Sequence, residues 1–318
     1  MTDLKSQFHH ALQRREKLSI VTNAVRLVNG AGDGLDGLFI DRYHRHLQVQ
    51  VLADHWHQQM EAISRLLTSS MPVEYLIVKS RRGERPNSFD FAGKVQERMV
   101  WVGSNPQTVV EEYGIKFEVD LNDGLNCGLF LDMRKNRSLV AGVCKDKKVL
   151  NCFSYTCSFG VHARLGGARE VINTDISRKI LERGKNNYQL NGVSIAAGEF
   201  IKADSFFFLQ RAFKKGNGFD VIILDPPSFS RHEQKVFQVK RDLPKLMALA
   251  VAVLNPAGSL LVTTNYSAIS YADLERILAR GLNGRRVANI QRVGQDEDFV
   301  GSNSFKESFM VGLWVKFL

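Results

Sequence analysis

Apolar and polar positions change rhythm partway along the chain. In VRLVNGAGDGLDGLFIDRY (25–43) two strand-like runs flank a Gly/Asp-rich turn, and HLQVQVL (46–52) alternates with the period of two expected of a strand. A helix-length stretch near 55–69 and a strand in EYLIVKS (74–80) follow, while residues 3–17 read as a short polar helix. The pattern predicts a helical extension over 1–20 and a small α/β domain over 21–115. Beyond that point, near-continuous apolar runs occur in KKVLNCF (147–153), REVINTD (169–175), EFIKAD (199–204), FDVIILD (219–225) and GSLLVTT (258–264). Helix-length segments separate them, which predicts a parallel sheet covered on both faces over 116–318. Open sheets of this kind bind ligands at the carboxyl ends of their strands, near the topological switch point.

One stretch imitates a membrane span. Residues 246–272 carry no charge, but Asn255-Pro256-Ala257-Gly258 interrupts them halfway. A buried helix, a turn and a buried strand explain this better than a span of about 20 unbroken apolar residues. The first twenty residues include Asp3, Lys5, Arg14, Arg15, Glu16 and Lys17 and lack the apolar region of a signal peptide. The four cysteines (127, 144, 152 and 157) form no C-x-x-C pair and no dense framework. Reduced thiols, a cytoplasmic location and no membrane partner are expected. His44/His46 and His55/His57 have no Cys or carboxylate cluster to complete a zinc set, so no metal is expected.

The formal net charge is +10, and its distribution says more than its sum. Residues 1–115 contribute +1 and residues 116–318 contribute +9. An excess confined to one half suggests an anionic partner lying across it, against the simpler alternative of a basic, soluble surface. Arg81-Arg82-Gly83-Glu84-Arg85 reads equally as a phosphate-gripping loop or a solvated turn.

Four predicted strands end on residues that suggest chemistry. The first enters a turn of small residues, Ser154, Thr156, Cys157, Ser158 and Gly160, where a ligand can approach the backbone and a helix N-terminus. That turn lacks the G-x-G-x-x-G of a dinucleotide fold and, alone, suits an ordinary strand–helix connection. Asp175 ends the second strand, placed to accept both ribose hydroxyls of an adenosine-bearing ligand. Asp204 ends the third, where it can accept an adenine amino group or cap the following helix. Three such ends on consecutive strands favour an adenosine site. The fourth strand ends in Asp225-Pro226-Pro227-Ser228-Phe229-Ser230, a loop stiffened by two prolines, with Asp225 as an acceptor and Phe229 as a stacking surface.

Taken together, RLVNGAGDGLDGLFIDRY (26–43), GLFLDMRKNR (128–137), VLNCFSYTCSFGVHA (149–163) and DPPSFS (225–230) resemble bacterial large-subunit (23S) ribosomal RNA methyltransferases. The resemblance covers nearly the whole chain from about residue 14. It implies a Rossmann-like class I methyltransferase sheet of seven strands, the last near 306–317 and antiparallel, beside a smaller N-terminal α/β domain. The cofactor it implies is S-adenosylmethionine, and the partner is ribosomal RNA. Cofactor contacts carry over to Asn151, Phe153, Ser154, Tyr155, Thr156 and Ser158, to Asp175 and Ile176, to Asp204 and Ser205, and to Asp225. Asp132 and Arg134 are implied to border cofactor and acceptor.

Two departures bear on the target base. The cytosine-5 branch usually begins with an RNA-binding PUA domain, where this sequence has about 20 residues. That branch also attacks the pyrimidine with a cysteine, and the corresponding position here is Asn265, with Ser228 after the prolines. Cytosine C5 needs such covalent activation. A ring nitrogen such as guanine N7 already owns a lone pair and needs only an in-line approach. VFQVKRD (236–242) and Asn265 resemble the guanine-N7 branch. The expectation is therefore direct transfer to guanine N7, with Asp225, Pro226, Pro227, Phe229 and Asn265 positioning the base. The alternatives are a methyltransferase for a protein or small-molecule amine, a nicotinamide dehydrogenase, and a non-catalytic RNA-binding relative.

Overall fold

The computed structural model describes residues 4–80, 97–124, 126–232, 235–301 and 310–318. The arginine-rich stretch 81–85 lies outside them. The chain divides into two compact units, Met1–Arg134 with Gln295–Ser308, and Lys135–Gly294 with Phe309–Leu318.

The first unit is built on a five-stranded sheet: β1 (Ala24–Asn29), β2 (Leu38–Tyr43), β3 (His46–Val51), β4 (Tyr75–Ser80) and β5 (Glu97–Val102), in that order. Neighbours are antiparallel except β3 and β4, whose parallel pairing needs the crossover made by α2 (His55–Gln58) and α3 (Met60–Ser70). Helix α1 (Leu4–Arg15) places Phe8 and Ala11 in the same apolar cluster as Leu27, Ile40, Val49 and Leu76. The predicted extension is therefore part of this unit's core. The other side of the sheet is polar and still buried: Arg26 grips Asp41 at 2.6 and 3.0 Å, and Lys79 donates to Gln48. Burial on both sides explains why β1 to β4 show no in–out alternation in exposure. A hairpin of β6 (Gln107–Glu112) and β7 (Ile115–Asp120) completes the strands of the unit and carries it past the predicted boundary at 115.

Helix α4 (Arg134–Val143) lies in the second unit from Lys135 onward, and the unit then alternates β8 (Lys148–Cys152), α5 (Ser158–Leu165), β9 (Glu170–Asp175), α6 (Arg178–Leu190), β10 (Phe200–Lys202), α7 (Ser205–Lys214) and β11 (Phe219–Leu224). A small hairpin, β12 (Phe229–His232) and β13 (Lys235–Gln238), leads into α8 (Val239–Ala252), β14 (Leu254–Thr264), α9 (Tyr271–Gly281), β15 (Val287–Val293) and β16 (Val311–Phe317). The seven-stranded sheet has the order β10-β9-β8-β11-β14-β16-β15, with only β16 reversed. Its expected antiparallel last strand is present. The Asn255–Gly258 interruption does not delay β14. It sits within the strand as an irregularity, because pairing with β11 jumps from Phe219–Leu254 to Val221–Ser259. The core lies between this sheet and α8, α9 and α7, built from Leu150, Ile222, Leu224, Leu243, Leu246, Met247, Leu260 and Leu274 among others. Among the described residues no helix is long and apolar enough to cross a membrane.

Candidate active site

Strand order reverses between β8 and β11, and the residues singled out by sequence gather at the carboxyl ends on both sides of that point. Register fixes their alignment. Cys152 pairs with Thr174 on β9 and with Leu224 on β11, Leu224 pairs with Val262 on β14, and Lys202 of β10 pairs with Asp175. Phe153, Asp175, Asp225 and Thr263 therefore leave adjacent strands along one edge of the second unit.

The turn after β8 departs from ordinary backbone. Phe153, Tyr155 and Cys157 all have positive φ, at 55°, 48° and 60°. Each such non-glycine residue costs on the order of 1–3 kcal/mol, and alternating them folds the turn tightly. The Ser154 N–H donates to Thr174 O at 3.0 Å, tying the turn to β9. Helix α5 follows with no side chain capping its first turn, so amide donors remain at its N-terminus. Gly160 has a packing reason: a Cβ there would lie 2.3 Å from Asn173 Oδ1. The side chains of Ser154 and Thr156 are buried within the turn, and Ser158 is half-buried. Asn151 is also buried, its Nδ2 donating to Asn173 Oδ1 at 2.9 Å while Asn173 Nδ2 donates to the Tyr188 hydroxyl at 2.9 Å. That amide holds strands and α6 together.

Asp175 is braced by the backbone. Tyr155 N–H donates to Oδ2 at 3.1 Å and Ser177 N–H to Oδ1 at 2.9 Å. Ile176 N–H is a third backbone donor to this carboxylate, whose four lone-pair sites still leave one for a further bond. Burial nonetheless raises its carboxyl above the usual range, against the pull of those donors. A half-buried, backbone-braced carboxylate with an acceptor site left suits a ribose hydroxyl. Ile176 beside it is half-buried. Asp204 caps α7, with Oδ1 accepting from Phe207 N–H at 3.0 Å, and Ser205 is buried in the first turn of that helix.

The ends of β11 and β14 are joined by side chains. Thr263 Oγ1 donates to Asp225 Oδ1 at 2.7 Å, and Ser228 Oγ donates to Asn265 Oδ1 at 2.8 Å. Pro226 is buried, Pro227 exposed, and the ring of Phe229 is 41% exposed at the start of the β12–β13 hairpin. The base of that hairpin is closed by Val239 N–H donating to Ser228 O at 3.1 Å. Sequence reasoning missed Thr263 and the hairpin. The apolar-then-Thr-Thr-Asn ending of β14 was the available signal for the first.

Asp132 and Arg134 belong to the first unit. Asp132 sits in a single 3-10 turn, Leu131–Met133. Arg134 is fully buried, ion-paired with Asp298 at 2.9 Å and Asp296 at 3.0 Å, and donates to Ala24 O at 3.0 Å. The four cysteines are buried and form no disulfide. Burial pushes the thiols of Cys144 and Cys152 up to about 12 and that of Cys127 up to about 11, and raises that of Cys157 further. None lies on the loops after β11 or β14. Among the described residues no group of three or more His, Cys, Asp and Glu side chains is placed to hold a metal ion.

Known proteins share this chain's pattern. Residues 84–299 match the family of S-adenosylmethionine-dependent methyltransferases. The chain is 34% identical over 305 residues to ribosomal RNA large subunit methyltransferase I of Tolumonas auensis, covering 92% of this chain and 75% of that protein. It is 33% identical over 291 residues to the protein of the same name from Vibrio cholerae, covering 89% and 72%. Among solved structures, a protein assigned as a methyltransferase and crystallised with SAH superposes with a TM-score of 0.87 at 25% identity, covering 98% of this chain and 80% of that one.

Proposed function

The chain belongs to the S-adenosylmethionine-dependent methyltransferases, and from that premise we propose that it methylates a base of large-subunit ribosomal RNA by direct transfer, with guanine N7 as the acceptor. The similarity to ribosomal RNA large subunit methyltransferase I supports the RNA class. The excess positive charge of residues 116–318 supports a polyanionic substrate. The observation that carries direct transfer is the state of the thiols. All four are buried, protonated at neutral pH and away from the β11 and β14 loops, so no cysteine stands ready to add to a pyrimidine ring.

S-adenosylmethionine supplies a methyl group on a sulfonium, which a ring-nitrogen lone pair can take without loss of a proton. The chain's own residues would then bind and align. Asp175 would accept the ribose hydroxyls, with Ile176 beside the adenosine. The β8–α5 turn, with Phe153, Ser154, Tyr155, Thr156 and Ser158, would bring the N-terminus of α5 to the amino-acid end of the cofactor. The Asp204–Ser205 corner would border the adenine while Asp204 keeps its helix cap. Asp225, fixed by Thr263, and the two prolines would set the edge against which the base lies. Asn265, its oxygen engaged by Ser228, would turn its amide donors toward the base, and Phe229 would stack on it or on a neighbour. Proximity and alignment supply the rate in such a site. Methyl transfer to undermethylated large-subunit RNA, followed by nucleoside analysis, tests this: label in no RNA nucleoside would refute it.

A further inference from the structure

Within the second unit, α4 and the edge strand β15 enclose a cleft of about 470 Å³, in the size range of small-ligand sites. Its walls include Lys135, Ser138, Leu139 and Gly142 from α4, with Gln291 and Val293 from β15. The chemistry is mixed: apolar surface from Leu139 and Val293, a cation, a hydroxyl and a carboxamide. The side chains of Lys135, Ser138 and Gln291 have no hydrogen bond or ion pair among the described residues. No carboxylate lines the cleft. Arg292, also at its wall, is committed to Glu275 at 2.8 Å, which leaves Lys135 as the cation that can receive an anion.

Gly142 is the second observation. It is the penultimate residue of α4, without a positive φ, and a Cβ built on it would meet nothing within 4 Å. Packing does not require glycine there, and glycine is a poor helix former. It leaves the cleft wall bare of a side chain at that position. Position is the third. Strand β15 runs parallel to β11 and β14, so the cleft, which includes Gly294 just past its end, opens on the same carboxyl edge as Asp225 and Asn265. Only β16 separates β14 from β15, a span of about 10 Å.

We infer that this cleft seats a nucleotide of the RNA strand flanking the methylated base, with Lys135 at its phosphate and Ser138 and Gln291 at its sugar or base edge. The inference rests on the RNA reading above. Gly142→Phe adds a ring to the cleft wall at a position where its Cβ meets nothing within 4 Å, and Lys135→Gln removes the cleft's cation. With undermethylated large-subunit RNA as the probe, Gly142→Phe raises the KM for RNA about tenfold, the scale of one lost base contact. Lys135→Gln lowers the slope of log affinity against log salt by about 1. Both keep wild-type SAH affinity by calorimetry and a wild-type melting temperature. If wild type acts on the RNA and both variants match it in KM and salt slope, the cleft assignment falls alone. If wild type neither binds nor methylates the RNA, the substrate reading falls and takes the cleft with it.

Discussion

The Ser228 hydroxyl donates to the side-chain oxygen of Asn265 at 2.8 Å, joining the loop after β11 to the end of β14. With its oxygen engaged, the Asn265 carboxamide presents its NH2 as the free, donating end. Asn265→Asp retains the acceptor for Ser228 but loses both donors. It should lower kcat/KM for RNA roughly tenfold to a hundredfold, while Ser228→Ala costs only a few-fold. Steady-state kinetics on both variants checks this, and an Asn265→Asp enzyme as fast as wild type would remove Asn265 from the acceptor site.

Asp175 gives a prediction with two opposing signs. Burial raises its carboxyl in the folded protein, so between the ordinary carboxylate value and the raised one the folded state holds the extra proton. Stability from this group therefore falls as pH rises through that window. Cofactor binding needs the ionised acceptor and moves the other way, so SAH affinity drops on acidification through the same window. Asp175→Ala should weaken SAH by about tenfold or more at neutral pH and abolish the acid-side dependence. Calorimetry across pH decides it, and an unchanged affinity would place the ribose elsewhere.

Thr263 holds Asp225 through one 2.7 Å bond. Asp225→Ala should reduce turnover on the order of a hundredfold, the scale of a misplaced reacting group, with SAH affinity near wild type. Thr263→Val should show the same pattern more weakly. Equal losses of turnover and SAH affinity would move Asp225 into the cofactor site.

Single Cys→Ala replacements at 127, 144, 152 and 157 should each leave methyl transfer within a few-fold of wild type, since the buried, protonated thiols have no chemical step to perform. RNA carrying 5-fluorocytosine should form no covalent adduct. A folded single variant without activity, or a trapped adduct, would restore the thiolate mechanism.

Arg134 tests a role that the sequence resemblance placed at the cofactor. It is fully buried against Asp298, whose side chain also accepts from Arg26 N–H at 3.0 Å and whose carbonyl accepts from Arg15 at 2.8 Å. Arg134→Ala should destabilise the protein by about 3–5 kcal/mol, because it strands a buried carboxylate. Denaturant unfolding measures this. A variant of wild-type stability with weakened SAH binding would make Arg134 a cofactor ligand instead.

Much of the fold was legible in the sequence because the second sheet announces itself: its apolar strands can be read from order alone, with Asp175 ending β9, Asp225 just after β11 and Asp204 two residues past the short β10, at the cap of α7. The β6–β7 hairpin did carry a signal, the alternation of IKFEVD after a Tyr113-Gly114 turn, that went unread, while β12 and β13 have four residues each, too few for a period of two to stand out. The return of the chain to the first unit at Gln295 was equally hidden. Its anchor, Asp298 with Arg134, joins residues 164 apart, and no local pattern encodes such a pair. Asn151 adds a tie that sequence order does not show: its Nδ2 donates to Asn173 on the neighbouring strand.

The most direct measurement is transfer of labelled methyl from S-adenosylmethionine to undermethylated bacterial large-subunit RNA, followed by digestion to nucleosides. Direct transfer to guanine predicts label in 7-methylguanosine. Label in 5-methylcytidine would contradict it and demand a nucleophile that the buried cysteines do not provide, and an unlabelled RNA beside demonstrated SAH binding would contradict RNA as the substrate.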